Sequence, residues 1–304
     1  MDQPQKYDKP WKTYVQQLID LEAKGLSGAS LYEDQIKRIG YYRLSGYWYP
    51  FREPGPNNKR LDKFQTGAKF EDVLALYEFD SMLRSTVFSA VSRLEIALRV
   101  EVGHVLGKRA TFGHLDPEHL DPAKVGKELG AFLSRYHAVQ SKSREDFVEH
   151  FQQKYLGVLP VWVATEILQL GQLGELYGLC KFDDRKFIAE TFGPLRADEF
   201  ASWMNSINYV RNICAHHGRL WNRAIVNSPK IPDEIRYPEL QSIQGLATRT
   251  YGVLAIITCL LKVCGFERER PQLHDVLKSF PQNQFVNLQM LGAPRNWERH
   301  AFWS

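Results

Sequence analysis

The sequence has few of the features that mark a secreted or metal-binding protein. Its 304 residues include only four cysteines, Cys180, Cys214, Cys259 and Cys264, and no two of them form a C-x-x-C pair. Neither a zinc ribbon nor a dithiol redox motif is therefore indicated, and we expect no bound metal. So few cysteines in a chain of this length favour a reducing compartment.

Long apolar runs are also missing. No apolar signal core follows the polar stretch Met1–Pro10, and the longest apolar run, Tyr251–Leu261, is too short to span a bilayer. We therefore expect a cytoplasmic protein, in a bacterium on the resemblance described below, with no membrane association.

Phosphate-binding loops and a strong excess of one charge are absent too. The glycines of Leu170-Gly-Gln-Leu-Gly match neither G-x-x-x-x-G-K nor G-x-G-x-x-G, so a nucleotide-transfer enzyme of the usual type is disfavoured and no cofactor is expected. The formal net charge of +4 is mild. It permits RNA binding but falls short of the charge of a dedicated duplex-DNA binder.

Helical periodicity is the main pattern that the sequence does contain. Apolar residues recur at spacings of three, four and seven along one long helix that is expected to end at Gly107 and the loop-like segment His114–Pro117: Val73, Leu76, Leu83, Val87, Leu94, Leu98 and Val105. Shorter helices are predicted at Trp11–Leu26, Tyr32–Tyr42, Ala197–His217 and Leu240–Val263. Because no strand alternation is sustained, we predict an all-α fold. Its expected parts are an N-terminal helical and aromatic arm (1–52), a helical domain (61–265) and a C-terminal tail of unknown role (266–304).

Aromatic residues cluster at the end of the arm, from Tyr41 to Phe51, with Arg43 and Arg52 among them. One interpretation is a packed corner between helices, since aromatic side chains bury large areas. The other is a platform on which RNA bases stack. The sequence leaves both interpretations open.

The predicted helix Ala197–His217 has two unlike faces. At about 100° per residue, an apolar stripe of Trp203, Ile207, Val210 and Cys214 forms one face. The far side carries Asn205, Asn208, Asn212 and His216. Asparagine is a poor helix former, so this composition suggests a face selected for directional hydrogen bonds. Arg211 borders the apolar stripe, roughly 140° from His216 by the same arithmetic.

Residues after this helix add groups that suit phosphate chemistry. His217, Arg219, Asn222 and Arg223 follow His216 closely, and guanidinium groups bind phosphate through paired hydrogen bonds. A histidine can take the proton of a 2′-hydroxyl, whose oxygen then attacks the adjacent phosphorus while cations stabilise the developing charge. Alternatively, His216 is a helix-end histidine that interacts favourably with the macrodipole. A metal shared with Cys214 is disfavoured because the two side chains lie on opposite faces.

Charged residues border the apolar face of the long helix. Asp80, Arg84, Glu95 and Arg99 lie within about 100° of one another on the helical wheel. They form either a ladder of i,i+4 ion pairs, or a site in which Glu95 or Asp80 orients His216. The sequence does not decide between these hypotheses.

The stretch Arg211–Arg223, R-N-I-C-A-H-H-G-R-L-W-N-R, closely resembles the signature of abortive-infection (Abi) proteins of the AbiD/AbiF type in the HEPN superfamily, which is defined by an R-x4–6-H motif. Three further segments resemble the same family: Ile39–Arg52, Tyr77–Arg99 and Pro160–Leu168. The resemblance covers about residues 10–265 and leaves the final forty or so without a match.

The resemblance implies a HEPN-like helical bundle and a role in bacterial defence against phage as a growth-arresting toxin. It assigns the catalytic roles to Arg211 and His216 and implies a metal-independent homodimer with two motifs facing one cleft. Asn212, His217, Glu95, Asp80 and Arg84 are the candidates for supporting or orienting roles. Arg219, Asn222 and Arg223 are the candidates for binding RNA phosphates.

We therefore expect an endoribonuclease that leaves a 2′,3′-cyclic phosphate and is restrained by a small RNA or a protein antitoxin. The alternative is a non-catalytic RNA- or protein-binding module that uses the same helix as a docking surface.

Overall fold

The computed structural model describes residues 10–303. Most of the polar N-terminal stretch, residues 1–9, lies outside the described residues. The described chain is mostly helical, with one small two-stranded sheet, so the predicted helical fold is confirmed. It divides into two compact units, residues 1–82 with 279–287 and residues 83–278 with 288–304. The boundaries predicted from the sequence at residues 52, 61 and 265 stay a prediction.

The first unit contains three short helices, a hairpin and the beginning of a long helix. These elements are α1 (Tyr14–Ala23), α2 (Glu33–Ile39), α3 (Tyr41–Trp48), β1 (Arg52–Pro54), β2 (Arg60–Phe64) and the start of α4 (Phe70–Arg109). A capping box fixes the start of α1, where Thr13 and Gln16 each accept a hydrogen bond from the other's backbone N–H.

The predicted helix Tyr32–Tyr42 is wrong in its extent. Gly40 has a φ of 93°, a left-handed backbone conformation that glycine adopts readily, and it separates α2 from α3. The hairpin was also missed. Its strands have three and five residues, too few for an alternating pattern.

The aromatic cluster of the arm is divided between core and surface. Tyr47, Trp48 and Phe51 are buried, whereas Tyr42 is 90% exposed. The hydroxyl of Tyr47 donates a hydrogen bond to Asp80 at 2.6 Å. The buried members therefore form a packed corner, and a base-stacking role is left only to the exposed rings.

The second unit contains the rest of α4 and eight further helices among the described residues. They are α5 (Lys127–Lys142), α6 (Asp146–Lys154), α7 (Val161–Ile167), α8 (Leu170–Leu179), α9 (Phe182–Thr191), α10 (Ala197–Ala215), α11 (Thr250–Val263) and α12 (Glu269–Lys278). Helix α10 packs against α8, α9 and α11, and α11 packs against α12. The helix α10 that carries the candidate motif is thus packed within the second unit.

One predicted helix in this unit is divided in the structure, and the end of another lies close to its predicted position. Helix α4 passes Gly107 and ends at Arg109, before the predicted loop-like segment His114–Pro117, and Gly103 and Gly107 provide room for Trp162 of α7. The predicted helix Leu240–Val263 is two elements, a short 3-10 helix at Pro238–Ile243 and the buried α11.

The C-terminal segment packs against α11. Tyr251 Oη lies 3.0 Å from His300 Nδ1 and donates to the backbone carbonyl of Trp297 at 3.3 Å. Phe302 is buried beside the Tyr251 ring. The buried side chains of residues 288–303 are therefore part of the core of the second unit. Within residues 10–303, no helix is both long enough and apolar enough to cross a membrane.

Candidate functional site

Helix α10 is held at its start and along its apolar face. Glu199, almost fully buried, accepts hydrogen bonds from Arg196 at 2.7 Å and from Arg236 at 2.6 and 2.8 Å. Burial raises the pKa of Glu199, but these guanidinium hydrogen bonds outweigh it and hold that pKa below its usual 4.5. Trp203 is fully buried, and its indole N–H donates to the carbonyl of Lys230 at 2.7 Å. The predicted apolar stripe is thus the buried face that fixes the helix.

The polar face of α10 is not uniformly solvated. Asn205 is exposed, but Asn208 is half-buried, and its side-chain amide packs against Gly171 of α8. A β-carbon at Gly171 would lie 3.1 Å from Asn208 Nδ2, so a larger residue there would require the Asn208 side chain to shift. At least one residue of the asparagine row therefore has a packing role.

The C-terminal end of α10 is a tight reversal that begins at His216. The N–H of His217 donates to the carbonyl of Cys214 at 3.1 Å, and the N–H of Gly218 donates to that of Ile213 at 2.8 Å. This pair of hydrogen bonds is a Schellman motif, in which the left-handed position is usually glycine. Here His217 occupies it with a φ of 54°.

The residue at which the chain changes direction is thus His217 rather than the glycine that follows it, Gly218. A non-glycine residue in the left-handed region costs roughly 1 kcal/mol. Both His216 and His217 are exposed at this end of the helix. Such strain is common at functional sites, although it does not by itself identify one.

Arg211 lies one turn before this tip and is 20% exposed. Its Nε lies 3.8 Å from Oε2 of Glu95 on α4, and its guanidinium carbon is 5.8 Å from the ring centroid of Phe88. A third contact, 3.3 Å long, joins its Nη1 to the side-chain oxygen of Asn212. The guanidinium is therefore positioned by groups from two helices before any ligand binds.

Glu95 connects Arg211 to a second arginine. Its side chain is 10% exposed, and its Oε1 accepts a hydrogen bond from Arg99 at 2.7 Å. Arg99 also donates to the carbonyl of Leu168 at 3.0 Å, and its Nη1 lies 3.9 Å from Glu166. The i,i+4 ion pair between Glu95 and Arg99 is thus formed, and the other carboxylate oxygen of Glu95 faces Arg211. An orienting role of Glu95 on His216 stays a prediction.

Asp80 and Arg84 belong to different units. Asp80 is fully buried in the first unit, where Tyr47 donates to it. Arg84 is buried in the second unit. Their supporting role at the motif also stays a prediction.

The residues after the reversal return toward α10. Arg223 Nε donates to the hydroxyl of Tyr209 at 3.3 Å, and its guanidinium carbon lies 5.9 Å from the centre of that ring. Asn222 has a φ of 53° and accepts a hydrogen bond from Arg249 at 3.2 Å. Arg219 is half-buried. Arg223 therefore contacts α10, the helix that carries Arg211 and leads into His216.

The sequence did not single out Phe88 and Tyr209, the two rings that contact Arg211 and Arg223. Phe88 precedes Glu95 by seven residues, which places both on one side of α4. That spacing is the signal that was available. Tyr209 has no comparable signal, because its contact depends on how the segment after Gly218 folds back.

Metal ligation was also considered for the described residues. Among residues 10–303, no three or more histidine, cysteine, aspartate or glutamate side chains are grouped so that they could hold a metal ion.

Comparison with known proteins gives one match. A family model described as "Abi-like protein" matches residues 34–222, which include α10, the motif Arg211–His216 and Asn222. No curated protein and no solved structure matches the chain.

Proposed function

The chain belongs to the family of Abi-like proteins, and from that premise we propose that it is a metal-independent endoribonuclease of a phage-defence or toxin–antitoxin system. Family membership supports a role in abortive infection, a form of defence against phage. The catalytic assignment to Arg211 and His216 goes further and rests on the local arrangement of these residues. RNA is the proposed substrate, and a small RNA or a protein antitoxin is the proposed regulator.

One observation carries the catalytic proposal. Arg211 contacts both Glu95 and Phe88 of α4, while His216 is exposed at the end of the helix that carries Arg211. A positioned cation and an accessible imidazole are groups that metal-free RNA cleavage uses to stabilise phosphoryl charge and to transfer protons. Neither group is sealed inside the bundle, and the Arg223 guanidinium is held on the same helix.

The proposed reaction is an internal phosphoryl transfer. The imidazole of His216 takes the proton of a ribose 2′-hydroxyl, and the 2′-oxygen forms a bond to the adjacent phosphorus. The bond from phosphorus to the 5′-oxygen breaks, and that oxygen takes a proton from a second acid, which we assign to His216 of a second copy of the chain. Arg211 stabilises the charge on the phosphoryl oxygens. The products are a 2′,3′-cyclic phosphate and a 5′-hydroxyl.

A surface suited to a second copy lies beside Arg211 on α4. Ser85, Ser92 and Ile96 fall within about 40° of arc on the solvent side of the helix, and none of them is charged. Phe88, which supports Arg211, borders this stripe. Small and apolar side chains allow helices to approach closely. We therefore assign the stripe to a homodimer contact that brings two motifs together, and size-exclusion chromatography of Ile96→Glu against wild type tests it.

The second candidate function is a non-catalytic binding module. The contacts of Arg211 with Glu95 and Phe88 favour it, because an arginine that is four-fifths buried in an ion-pair network can serve packing alone. In that case the exposed tip of α10 and the arginines after it would still bind RNA or a protein.

A cleavage assay run beside a gel-shift assay separates the two candidates. If the protein is a ribonuclease, His216→Ala abolishes cleavage and growth arrest but still shifts RNA. If it is a binding module, His216→Ala keeps both affinity and biological effect, and only the double variant Arg219→Ala with Arg223→Ala loses them. His150→Ala, which removes another exposed histidine of the second unit, is the matched control.

A further inference from the structure

Two successive ion pairs, Arg211–Glu95 and Glu95–Arg99, connect Arg211 to a groove between α4 and α7. It has a volume of about 440 Å³ and is lined by Arg99, Val100, Gly103, His104, Gly107, Lys108, Trp162 and Glu166. Arg99 belongs to both places, because it lines the groove and also binds Glu95, the partner of Arg211. A strand whose phosphate lies at Arg211 would therefore continue toward this groove.

The groove is built around an exposed indole. Trp162 is 49% exposed although it sits on a packed helix. Its backbone and ring rest on two glycines of α4, since a β-carbon at Gly103 would lie 3.1 Å from its Cα and one at Gly107 would lie 2.9 Å from its Cε3. Any side chain at Gly107 would displace the ring. The two glycines therefore hold the indole as a fixed surface, which suits the stacking of a flat ligand at low entropic cost.

The charges around the indole favour a nucleotide over an apolar ligand. His104 and Lys108 are exposed on the α4 side, and no ion pair joins either of them to another described residue. Glu166 is half-exposed on the opposite helix, where its carboxylate can accept hydrogen bonds from base N–H groups. A stacking ring with basic side chains on one wall and an acceptor on the other matches one nucleotide of a single strand.

We propose that this groove binds an unpaired base of single-stranded RNA, stacked on Trp162, with the neighbouring phosphate at His104 and Lys108. The inference rests on the proposed function and extends it, because it identifies single-stranded RNA as the substrate class and Trp162 as a positioning residue. The groove would fix the register of the strand relative to Arg211 and His216.

Binding to a variant that does not cut RNA tests the groove separately from the chemistry. In a His216→Ala background, the affinity for a fluorescein-labelled single-stranded oligoribonucleotide is measured by fluorescence anisotropy. We expect Trp162→Ala to weaken binding by roughly tenfold or more, since base–aromatic stacking has that magnitude. Trp162→Tyr should retain most of the affinity, and Lys108→Ala should weaken binding and lower the slope of its salt dependence by about one.

Phe182→Ala is the matched control, because it removes another exposed aromatic side chain of the second unit, at a different groove. We expect it to leave RNA affinity unchanged. The inference is wrong if Trp162→Ala binds RNA as tightly as its parent while thermal unfolding shows it to be folded. It is also wrong if Trp162→Ala only converts a dimer to a monomer, because the groove would then be a protein interface.

The two proposals fail in different ways. If wild-type protein cleaves RNA but Trp162 does not affect binding, the groove assignment is wrong and the catalytic proposal stands. If Trp162 is needed for binding but no variant or wild type cuts RNA, the groove assignment stands and the catalytic proposal is wrong.

Discussion

A buried, unpartnered imidazole makes the stability of this protein depend on pH. His114 is fully buried, and its ring packs edge-on against Tyr136 with centroids 5.2 Å apart. Neither of its ring nitrogens has a hydrogen-bond partner in the described part of the chain. Burial lowers the pKa of His114 from 6.5 to about 4, and the nearby His137 acts in the same direction.

The direction and size of the effect follow from this difference in pKa. Between pH 4 and 6.5 the unfolded chain binds more protons than the native state, so the free energy of unfolding falls as the pH is lowered. One pKa unit corresponds to about 1.4 kcal/mol, and the difference between 6.5 and 4 therefore corresponds to ~3 kcal/mol. About 2 kcal/mol of this contribution is lost by pH 5.

Urea denaturation at about pH 7.5 and about pH 5 measures the effect. His274 and His300 also have pKa values lowered by burial, so the diagnostic quantity is the difference between wild type and His114→Leu. Between the two pH values, we expect the free energy of unfolding of the variant to fall by about 2 kcal/mol less than that of wild type. His104→Gln, which replaces an exposed histidine, should behave like wild type. An equal loss in wild type and His114→Leu would refute the reasoning.

Three further substitutions test other parts of the structure. Glu95→Gln removes the charged partner of two arginines. It should therefore lower the free energy of unfolding measured in urea by about 2 kcal/mol and also reduce RNA cleavage. Unchanged values for both quantities would contradict the positioning role of Glu95. Arg236→Met leaves Glu199 buried with fewer partners and should lower the free energy of unfolding of the protein by about 3 kcal/mol. An activity assay should show no selective loss of cleavage by the folded variant. His217→Gly should raise the melting temperature, because it relieves roughly 1 kcal/mol of left-handed backbone strain. His217→Ala would retain that strain, so equal melting temperatures for the two variants would show that no such strain exists.

The elements that could be predicted from the sequence are those fixed by local periodicity. The apolar repeat of α4 and the stripe that includes Trp203 on α10 are both buried as predicted, because each is decided within its own helix. Tertiary contacts could not be predicted in this way. Gly107 lies close to the end of α4, as expected, but its packing against Trp162 has no local signal.

The candidate site was predictable in its residues but not in its contacts. The motif Arg211–His216 was found from sequence, and the position of Glu95 on the polar border of α4 was also visible. Whether Glu95 faces Arg211 or His216 depends on how α10 packs against α4, which no periodicity specifies. The structure places a carboxylate oxygen 3.8 Å from the guanidinium of Arg211.

RNA cleavage in excess chelator tests the catalytic role of Arg211 and His216 most directly. Wild type, Arg211→Ala and His216→Ala are incubated with a panel of single-stranded RNAs, and the new ends are identified by direct kinase labelling of 5′-hydroxyls. We predict that wild type cleaves without metal and leaves 5′-hydroxyl and 2′,3′-cyclic phosphate ends, while both variants, folded by circular dichroism, do not. Cleavage by His216→Ala at the wild-type rate, or cleavage that stops when chelator is added, would contradict the assignment.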